Sequence, residues 1–192
     1  MVHVAELYLE VDEATKADIF IKTASSACPA LRGIASEGDG GSGNASVISE
    51  HVRVRYKVTY ARILDSKRKF PEAAVRYFEL SCSDGDWSQA DLDHLLACAI
   101  NCAVLSPATP RRQKLMNAIA SDVRAAGMQH FQLLLAMLRE QIVRPSAWLS
   151  LKEDLASSSP HMLAMQASGQ TYLEEAITEH NLRAAGGYKH YL

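Results

Sequence analysis

The chain has 192 residues, 48% of its side chains are hydrophobic, and its formal net charge is −2 at pH 7. Such a charge gives no general attraction to phosphate or anionic lipid, and no apolar run approaches the ~18 residues that a membrane span needs. We therefore expect neither nucleic acid nor a membrane as a partner. Four cysteines without framework spacing, and an N-terminus without a signal-peptide pattern, predict reduced thiols and a location in the cytoplasm and nucleus.

The N-terminal part of the chain predicts two short helices, at 2–11 and 13–27. A glycine- and serine-rich segment at 32–46 follows them and has too few apolar side chains to pack. We expect this segment to be a flexible insertion between helices.

A helical hairpin, with helices at 46–66 and 71–81, is the clearest pattern in the chain. Pro71 suits a first helical position, where its missing N–H costs nothing. Small alanines opposite aromatic rings allow antiparallel helices to approach closely, as in tetratricopeptide-like repeats. The apolar positions of this hairpin are Val54, Val58, Ala61, Leu64, Ala73, Ala74, Tyr77, Phe78 and Leu80.

A weaker copy of the hairpin lies 56 residues earlier, at 4–25. The identical pairs are Ala5 and Ala61, Ala17 and Ala73, and Ser25 and Ser81; the apolar pairs are Leu7 and Ile63, Ile19 and Val75, and Ile21 and Tyr77. This repetition predicts an all-α fold, a right-handed solenoid of tetratricopeptide-like or HEAT-like helical hairpins. In such a solenoid each pair of helices buries its apolar face against the next pair.

Capping residues mark two further helices in the second half of the chain. A helix at 88–104 is expected to have Ser88 as its N-cap. Another helix is expected to start with Thr109 as its N-cap and Pro110 at the first position.

A core helix is predicted over 130–143, where Arg144 and Pro145 break it. Its apolar stripe consists of Phe131, Leu134, Leu135, Leu138 and Ile142. Shorter helices are expected at 148–155 and 171–184, and the sequence predicts no strand.

Two motifs have the spacing of a ligand site, and each has a plainer interpretation. Segment 38–43 satisfies G-x-G-x-x-G, but no strand precedes it as in dinucleotide-binding folds. His94, Cys98 and Cys102 would rise about 12 Å along one helix face, which is too far for a single zinc ion. We therefore predict no cofactor and no metal.

Two further motifs might suggest catalysis. Ser66 and Lys69 match a serine–lysine pattern of some hydrolases, but no partner motif accompanies them. His180 lies among apolar residues and is interpreted as a hydrogen-bonded packing histidine. We therefore predict no catalytic residue and no small-molecule substrate, so the chain is not expected to be an enzyme.

Two basic clusters are the candidate protein contacts. Clusters of this kind usually form solvated turns and helix starts, but either one could meet an acidic surface of a partner. They are Lys67, Arg68 and Lys69 in the predicted hairpin turn, and Arg111, Arg112 and Lys114 at a predicted helix start.

Three segments carry a family resemblance: the run of tyrosines, basic residues and alanines at 56–81, the A-x-L-Y-L-E-x-D pattern at 5–12, and E-H-N-L at 179–182. They resemble the PCI-domain scaffold subunits of the COP9 signalosome, a family shared with the proteasome lid and translation initiation factor three. The resemblance implies a helical-repeat segment at 1–104 followed by the helical part of a PCI domain at 105–192. The winged helix that completes such a domain has no counterpart, so we expect a partial or short form that assembles poorly by itself.

The resemblance also implies a function. It is that of a non-catalytic scaffold in the complex that deneddylates cullins and so regulates cullin–RING ubiquitin ligases. The expected partners are other signalosome subunits and, through the basic clusters, cullin–RING ligases. Two alternatives stay open: a paralogous non-ATPase subunit of the proteasome lid, and a small helical protein-binding module outside these complexes.

Overall fold

The computed structural model describes residues 1–28, 31, 49–84, 87–158 and 160–187, without the side chains of residues 161 and 187. The expected flexible insertion at 32–46 and the glycine motif at 38–43 lie outside the described residues.

The structure is all-α in its described residues, which confirms the predicted fold class. None of the helices in these ranges is both long and apolar enough to cross a membrane. In chain order the helices are α1 (Val2–Glu10), α2 (Ala14–Ala27), α3 (Glu50–Ser66), α4 (Phe70–Ser81), α5 (Gln89–Leu105), α6 (Pro110–Ala120), a 3₁₀-helix (Val123–Gly127), α7 (Phe131–Leu138), α8 (Pro145–Ser158), a second 3₁₀-helix (Pro160–Leu163) and α9 (Tyr172–Gly187).

Two compact units make up the chain, Met1–Arg76 and Tyr77–Leu192. The division lies inside α4. Helix α5 packs against α6, α7 and α9, all of which follow it in the chain. Helix α5 therefore belongs with the second half of the molecule.

Helices α1, α2 and α3 pack on one another in the first unit. Its buried core cluster consists of Ala5, Ala17, Ile21, Ala24, Leu31, Tyr56 and Ile63. Tyr8 of α1 stacks on Phe20 of α2, with ring centroids 5.2 Å apart. The Glu6 carboxylate accepts hydrogen bonds from Arg55 Nε at 3.1 Å and Thr59 Oγ1 at 3.2 Å. These charge-assisted bonds tie α1 to α3.

The same left-handed turn follows α1 and α3. Asp12 has φ +58° and Arg68 has φ +60°. In both turns an N–H donates to the carbonyl five residues earlier, from Glu13 to Tyr8 at 2.8 Å and from Lys69 to Leu64 at 2.9 Å. This is the Schellman arrangement, which satisfies carbonyls left over at a helix end. Helix ends and turn residues thus recur 56 residues apart, as the sequence repeat predicted.

The repeated alanines are buried as the repeat predicts, but some of the repeated apolar residues are exposed. Ala5, Ala17, Ala61 and Ala73 are completely buried. Leu7 and Ile19, which the alignment of the repeats placed over apolar residues, are largely exposed. The repeated feature is therefore the small residue that lets helices approach, together with the turn.

Helix α5 is the centre of the second unit, where it contacts α6, α7, α9 and the 3₁₀-helix Val123–Gly127. Large buried side chains of this unit include Leu96, Ile100, Ile119, Leu134 and Leu173. Both predicted N-caps are confirmed. Ser88 Oγ accepts from Asp91 N–H at 3.1 Å, and Thr109 Oγ1 accepts from Arg112 N–H at 3.2 Å.

The core helix predicted over 130–143 is shorter than expected. Helix α7 ends at Leu138, because Glu140 adopts a left-handed conformation with φ +54° and the N–H of Gln141 donates to the Ala136 carbonyl at 2.9 Å. Ile142, expected on the buried stripe, is 57% exposed. The buried side of α7 is formed by Phe131, Leu133, Leu134 and Met137.

Helix α8 begins at Pro145, three residues before the start at residue 148 that the sequence predicts. A proline at the first helical position lacks an N–H that would have no partner there. Pro145 therefore ends one segment and starts the next helix.

Replacing Ala17 by Leu should destabilise the first unit, because three added heavy atoms enter a core cluster in which Ala17 is completely buried. Overpacking of this kind costs about 1–3 kcal/mol, and the equivalent Ala73→Leu should cost a similar amount. Urea denaturation midpoints measure the effect. The control is Ala118→Leu on the exposed side of α6, expected to change stability by less than about 0.5 kcal/mol. Equal midpoints for all three variants would show that the repeat alanines do not set helix spacing.

Glu140→Gly should stabilise the protein by about 0.5–1 kcal/mol, because glycine adopts φ +54° without the steric cost of a side chain. The matched control is Glu153→Gly at an exposed position inside α8, which removes the same charge and should destabilise by about 1 kcal/mol. Thermal and urea unfolding give both values. A loss of stability in both variants would contradict the left-handed turn after α7.

Candidate functional site

The first basic cluster forms the turn between α3 and α4. Lys67 Nζ lies 2.7 Å from Asp18 Oδ2 of α2, and Lys22 Nζ approaches the same oxygen at 2.8 Å. Asp18 is only 8% exposed. Burial raises its pKa, but the hydrogen bonds from Lys22 and Lys67 outweigh burial and leave the pKa below its ordinary value. Lys67 therefore takes part in an ion pair within the chain although the residue is itself exposed, and Arg68 and Lys69 are exposed as well.

The second basic cluster is divided by the start of α6. Arg111 and Lys114 are exposed, whereas Arg112 is only 7% exposed. Arg112 lies on the buried face of α6 together with Met116 and Ile119. The expectation that all three basic residues form a solvated helix start is therefore wrong for Arg112.

Arg112 lines a cavity of about 430 Å³ within the second unit. The cavity is bounded by the start of α6, the end of α7 and the last turns of α9. Its lining consists of Ala108, Thr109, Pro110, Arg112, Gln113, Met116, Met137, Leu138, Glu140, His180, Arg183 and Ala184. One buried cation thus faces a mixed wall of apolar and polar side chains.

Few groups contact the Arg112 guanidinium. Its Nη2 donates to Met137 Sδ at 3.5 Å, and its Nε has no hydrogen-bond partner among the described residues. Burial lowers the pKa of Arg112 to about 10; Glu179 raises it and Arg183 lowers it further. The side chain therefore keeps its positive charge at neutral pH.

His180 and Asn181, from the E-H-N-L segment, tie α9 to the chain that follows α7. His180 Nε2 lies 2.8 Å from the Gln141 carbonyl oxygen, and the residue is 6% exposed. Asn181 Oδ1 accepts from Val143 N–H and its Nδ2 donates to the Val143 carbonyl, both at 2.8 Å. The interpretation of His180 as a hydrogen-bonded packing residue is confirmed.

The remaining motifs do not converge on a site. Cys98 Sγ is 3.7 Å from His94 Nε2 on the surface of α5, while Cys102 is completely buried. In the ranges that the structure describes, no three His, Cys, Asp or Glu side chains are grouped so as to hold a metal ion. None of the four cysteines, all within those ranges, forms a disulfide.

The cavity is the feature that sequence reasoning missed. A signal was present, because Arg112, Met116 and Ile119 share the i, i+4, i+7 spacing of a buried helix face. In the sequence, Arg112 stands beside the basic residues Arg111 and Lys114, which suggests an exposed position. Its location is instead determined by Met116 and Ile119, which share its face of α6.

No family model matches the chain, but curated relatives do. COP9 signalosome complex subunit 4 of Emericella nidulans is 32% identical over 185 residues, covering 96% of this chain and 40% of that protein. The Arabidopsis thaliana protein of the same name is 32% identical over 190 residues, with 96% and 43% covered. The Drosophila melanogaster protein is 34% identical over 182 residues, with 95% and 40% covered. The chain spans about two fifths of the curated relatives it matches, and the predicted resemblance is confirmed.

Asp18→Asn should destabilise the chain at pH 7 by about 1–3 kcal/mol, because the amide lacks the negative charge that pairs with Lys22 and Lys67. The pKa of Asp18 is lower in the folded than in the unfolded chain, so its contribution is full above the ordinary aspartate pKa of about 3.9 and is lost as pH falls below it. The difference between the variant and the unchanged chain should therefore shrink at pH 3. Urea denaturation at both pH values tests this.

Asp12→Asn is the control for Asp18→Asn. Asparagine tolerates the left-handed conformation that Asp12 adopts, and Asp12 is exposed. This variant should behave like the unchanged chain at both pH values. A difference for Asp18→Asn that is equally large at pH 3 and pH 7 would contradict the ion-pair assignment.

Proposed function

We propose that this chain, which is similar to COP9 signalosome complex subunit 4 over nearly its whole length, acts as a non-catalytic scaffold subunit of that complex. The similarity carries the proposal, since three relatives of that name match 95–96% of the chain at 32–34% identity. The all-α structure agrees with it. The chain would assemble with other signalosome subunits in the cytoplasm and nucleus, and 105–192 would form the helical part of a PCI domain.

The character of the cavity supports a binding role over catalysis. A catalytic site needs a nucleophile or general base within hydrogen-bond reach of a reacting atom, with a further group to orient it. In the cavity His180 is already bonded to a backbone carbonyl, and Arg112 stays protonated at neutral pH. Glu140 also lines the cavity, but it is exposed and no side chain among the described residues hydrogen-bonds to it. These groups can hold a ligand in place, and none of them is oriented by a partner as a nucleophile or general base would be. The cleavage of a ubiquitin-like modifier from cullins would then belong to another subunit.

Exposed basic residues are proposed as contacts with acidic surfaces of cullin–RING ligases. They are Arg68, Lys69, Arg111 and Lys114. Lys67 is left out because it pairs with Asp18, and Arg112 is left out because it is buried. Rim charges of this kind increase the rate and selectivity of association more than they increase affinity. We propose no nucleic acid, membrane or small-molecule partner.

The relatives are signalosome subunits by name, which favours the signalosome over the proteasome lid. A paralogous lid subunit would share the helical architecture, so the fold does not separate the two. A small helical module outside both complexes would be expected to share with these relatives only the residue pattern common to helices in general. A match over 95–96% of the chain argues against that alternative.

Affinity purification tests the proposal. A tagged chain is expressed in cells, chemically crosslinked before lysis so that weak contacts survive, and its partners are identified by mass spectrometry. We expect signalosome subunits to be enriched over proteasome-lid subunits. Enrichment of lid subunits would replace the proposal by its paralogue, and enrichment of neither would refute both. Cleavage of the cullin modifier by the purified chain alone would contradict the non-catalytic role.

A charge-reversal variant tests the basic contacts in the same experiment. Arg111→Glu combined with Lys114→Glu should reduce crosslinking to cullin–RING ligases roughly fivefold, because two rim attractions become repulsions. The control is Arg62→Glu combined with Arg139→Glu, which makes the same change of charge at other exposed positions. Equal losses in both double variants would show that net charge alone, and not this cluster, is responsible.

A further inference from the structure

The guanidinium of Arg112 has an unmet electrostatic requirement. Residue Arg112 is 7% exposed as a whole, its Nε has no partner within the described residues, and its Nη2 has only the Met137 thioether sulfur at 3.5 Å. A thioether is a weak acceptor and carries no charge to balance the guanidinium. Glu179 lies near enough to raise the pKa of Arg112, but no hydrogen bond joins these two described side chains. A buried cation whose N–H groups lack strong acceptors is destabilised until an anion or another strong acceptor reaches it. Binding of a negatively charged ligand at this site should therefore be favourable.

The cavity beside Arg112 has room for such a ligand. Its volume of about 430 Å³ lies in the range of ordinary ligand pockets, of the order of 300–1,000 Å³. The cavity lies at the N-terminal end of α6, where the helix dipole adds a partial positive charge. An anion entering here would meet both the guanidinium and the positive end of the helix.

Charges around the cavity limit the ligand to one negative charge. Arg112 and Arg183 are positive, but Glu140 also lines the cavity, and Glu179 lies 3.8 Å from Arg183 Nε. A phosphate dianion would therefore be repelled by Glu140 while gaining one fully buried cation. A single carboxylate can form the forked pair that a guanidinium prefers and still avoid Glu140.

The remaining walls favour an amino-acid side chain on a peptide over a small soluble acid. Pro110, Met116, Leu138 and Ala184 present apolar surface around the cation. Methionines in particular adapt to ligands of different shape. A glutamate or aspartate with an apolar neighbour would pair its carboxylate with Arg112 and cover this surface.

We propose that this cavity is a docking site for a carboxylate-bearing segment of a protein partner, with the Arg112 guanidinium as its anchor. The site lies entirely within the second unit. The inference depends only on the cavity, so it does not depend on which complex the chain joins. It goes beyond the proposed basic contacts, because those residues are exposed and Arg112 is buried.

Methionine methyl groups provide a local probe of binding to the full chain. With ¹³C-methyl methionine, the signals of Met116 and Met137 report directly on the cavity. The titrants are a blocked leucyl-glutamyl-leucine peptide, its glutamine counterpart and inorganic phosphate. We expect the glutamate peptide to shift both signals at concentrations about 10- to 100-fold lower than the glutamine peptide, the ratio expected for one charged hydrogen-bonded pair.

Arg112→Met separates a binding role from a structural one. Methionine keeps an apolar stem of similar length, so this variant should lose the glutamate preference completely and should unfold at the same or a higher urea concentration. An arginine needed for folding would instead lower the midpoint. Arg111→Met, at the exposed neighbouring position, is the matched control and should keep the binding within about twofold.

Three results would overturn the inference. Stronger shifts with phosphate than with the glutamate peptide would make the cavity a small-anion site. Equal shifts with the glutamate and glutamine peptides, or none with either at millimolar concentration, would show that it binds no carboxylate. A glutamate preference that survives in Arg112→Met would place the binding elsewhere.

Discussion

Close approach of helices at fully buried alanines is the constraint on which the first unit depends. The α1–α2 connection has only residues 11–13, so the two helices must run antiparallel and in contact. The distance between packed helix axes is about 8–10 Å, and small side chains at the contact allow the shorter distances. Ala5 and Ala17 meet that condition. The left-handed turn at Asp12 fixes where α1 stops, and so which residues of α2 face Ala5.

Buried polar groups determine how the later elements are aligned. Asn181 pairs with both the N–H and the carbonyl of Val143, and this arrangement admits one register between α9 and the segment after α7. Asp18 similarly joins α2 to the turn after α3 through Lys67. If the partner of one of these groups were displaced by one residue, a buried polar group would lose its hydrogen bonds and the fold would lose stability. These groups therefore specify the packing as well as stabilise it. Arg112 differs, because its burial is not matched by such a partner.

Sequence reasoning identified the features that depend on neighbours along the chain. The caps at Ser88 and Thr109 and the packing role of His180 were predictable, since each follows from local spacing or side-chain chemistry. The 56-residue repeat was predictable because the same local pattern occurs twice in the sequence. The early end of α7 was not, because Glu140 adopts a conformation usually given to glycine and the stripe continues in sequence to Ile142. The pairing of Lys67 with Asp18 was equally hidden, because the two residues are 49 positions apart. The cavity required knowledge of which face of α6 is buried.

The structure also changes how the basic residues of the chain should be ranked. By sequence, all six residues of the two clusters carry the same charge and equal weight. In the structure, exposed charges such as Lys69 and Lys114 interact through water and salt, where an ion pair contributes roughly 0–1 kcal/mol. A desolvated guanidinium interacts more strongly and with stricter geometry, as the buried arginines of binding hot spots do. The exposed residues would therefore influence how often a partner arrives, and Arg112 would decide which partner stays.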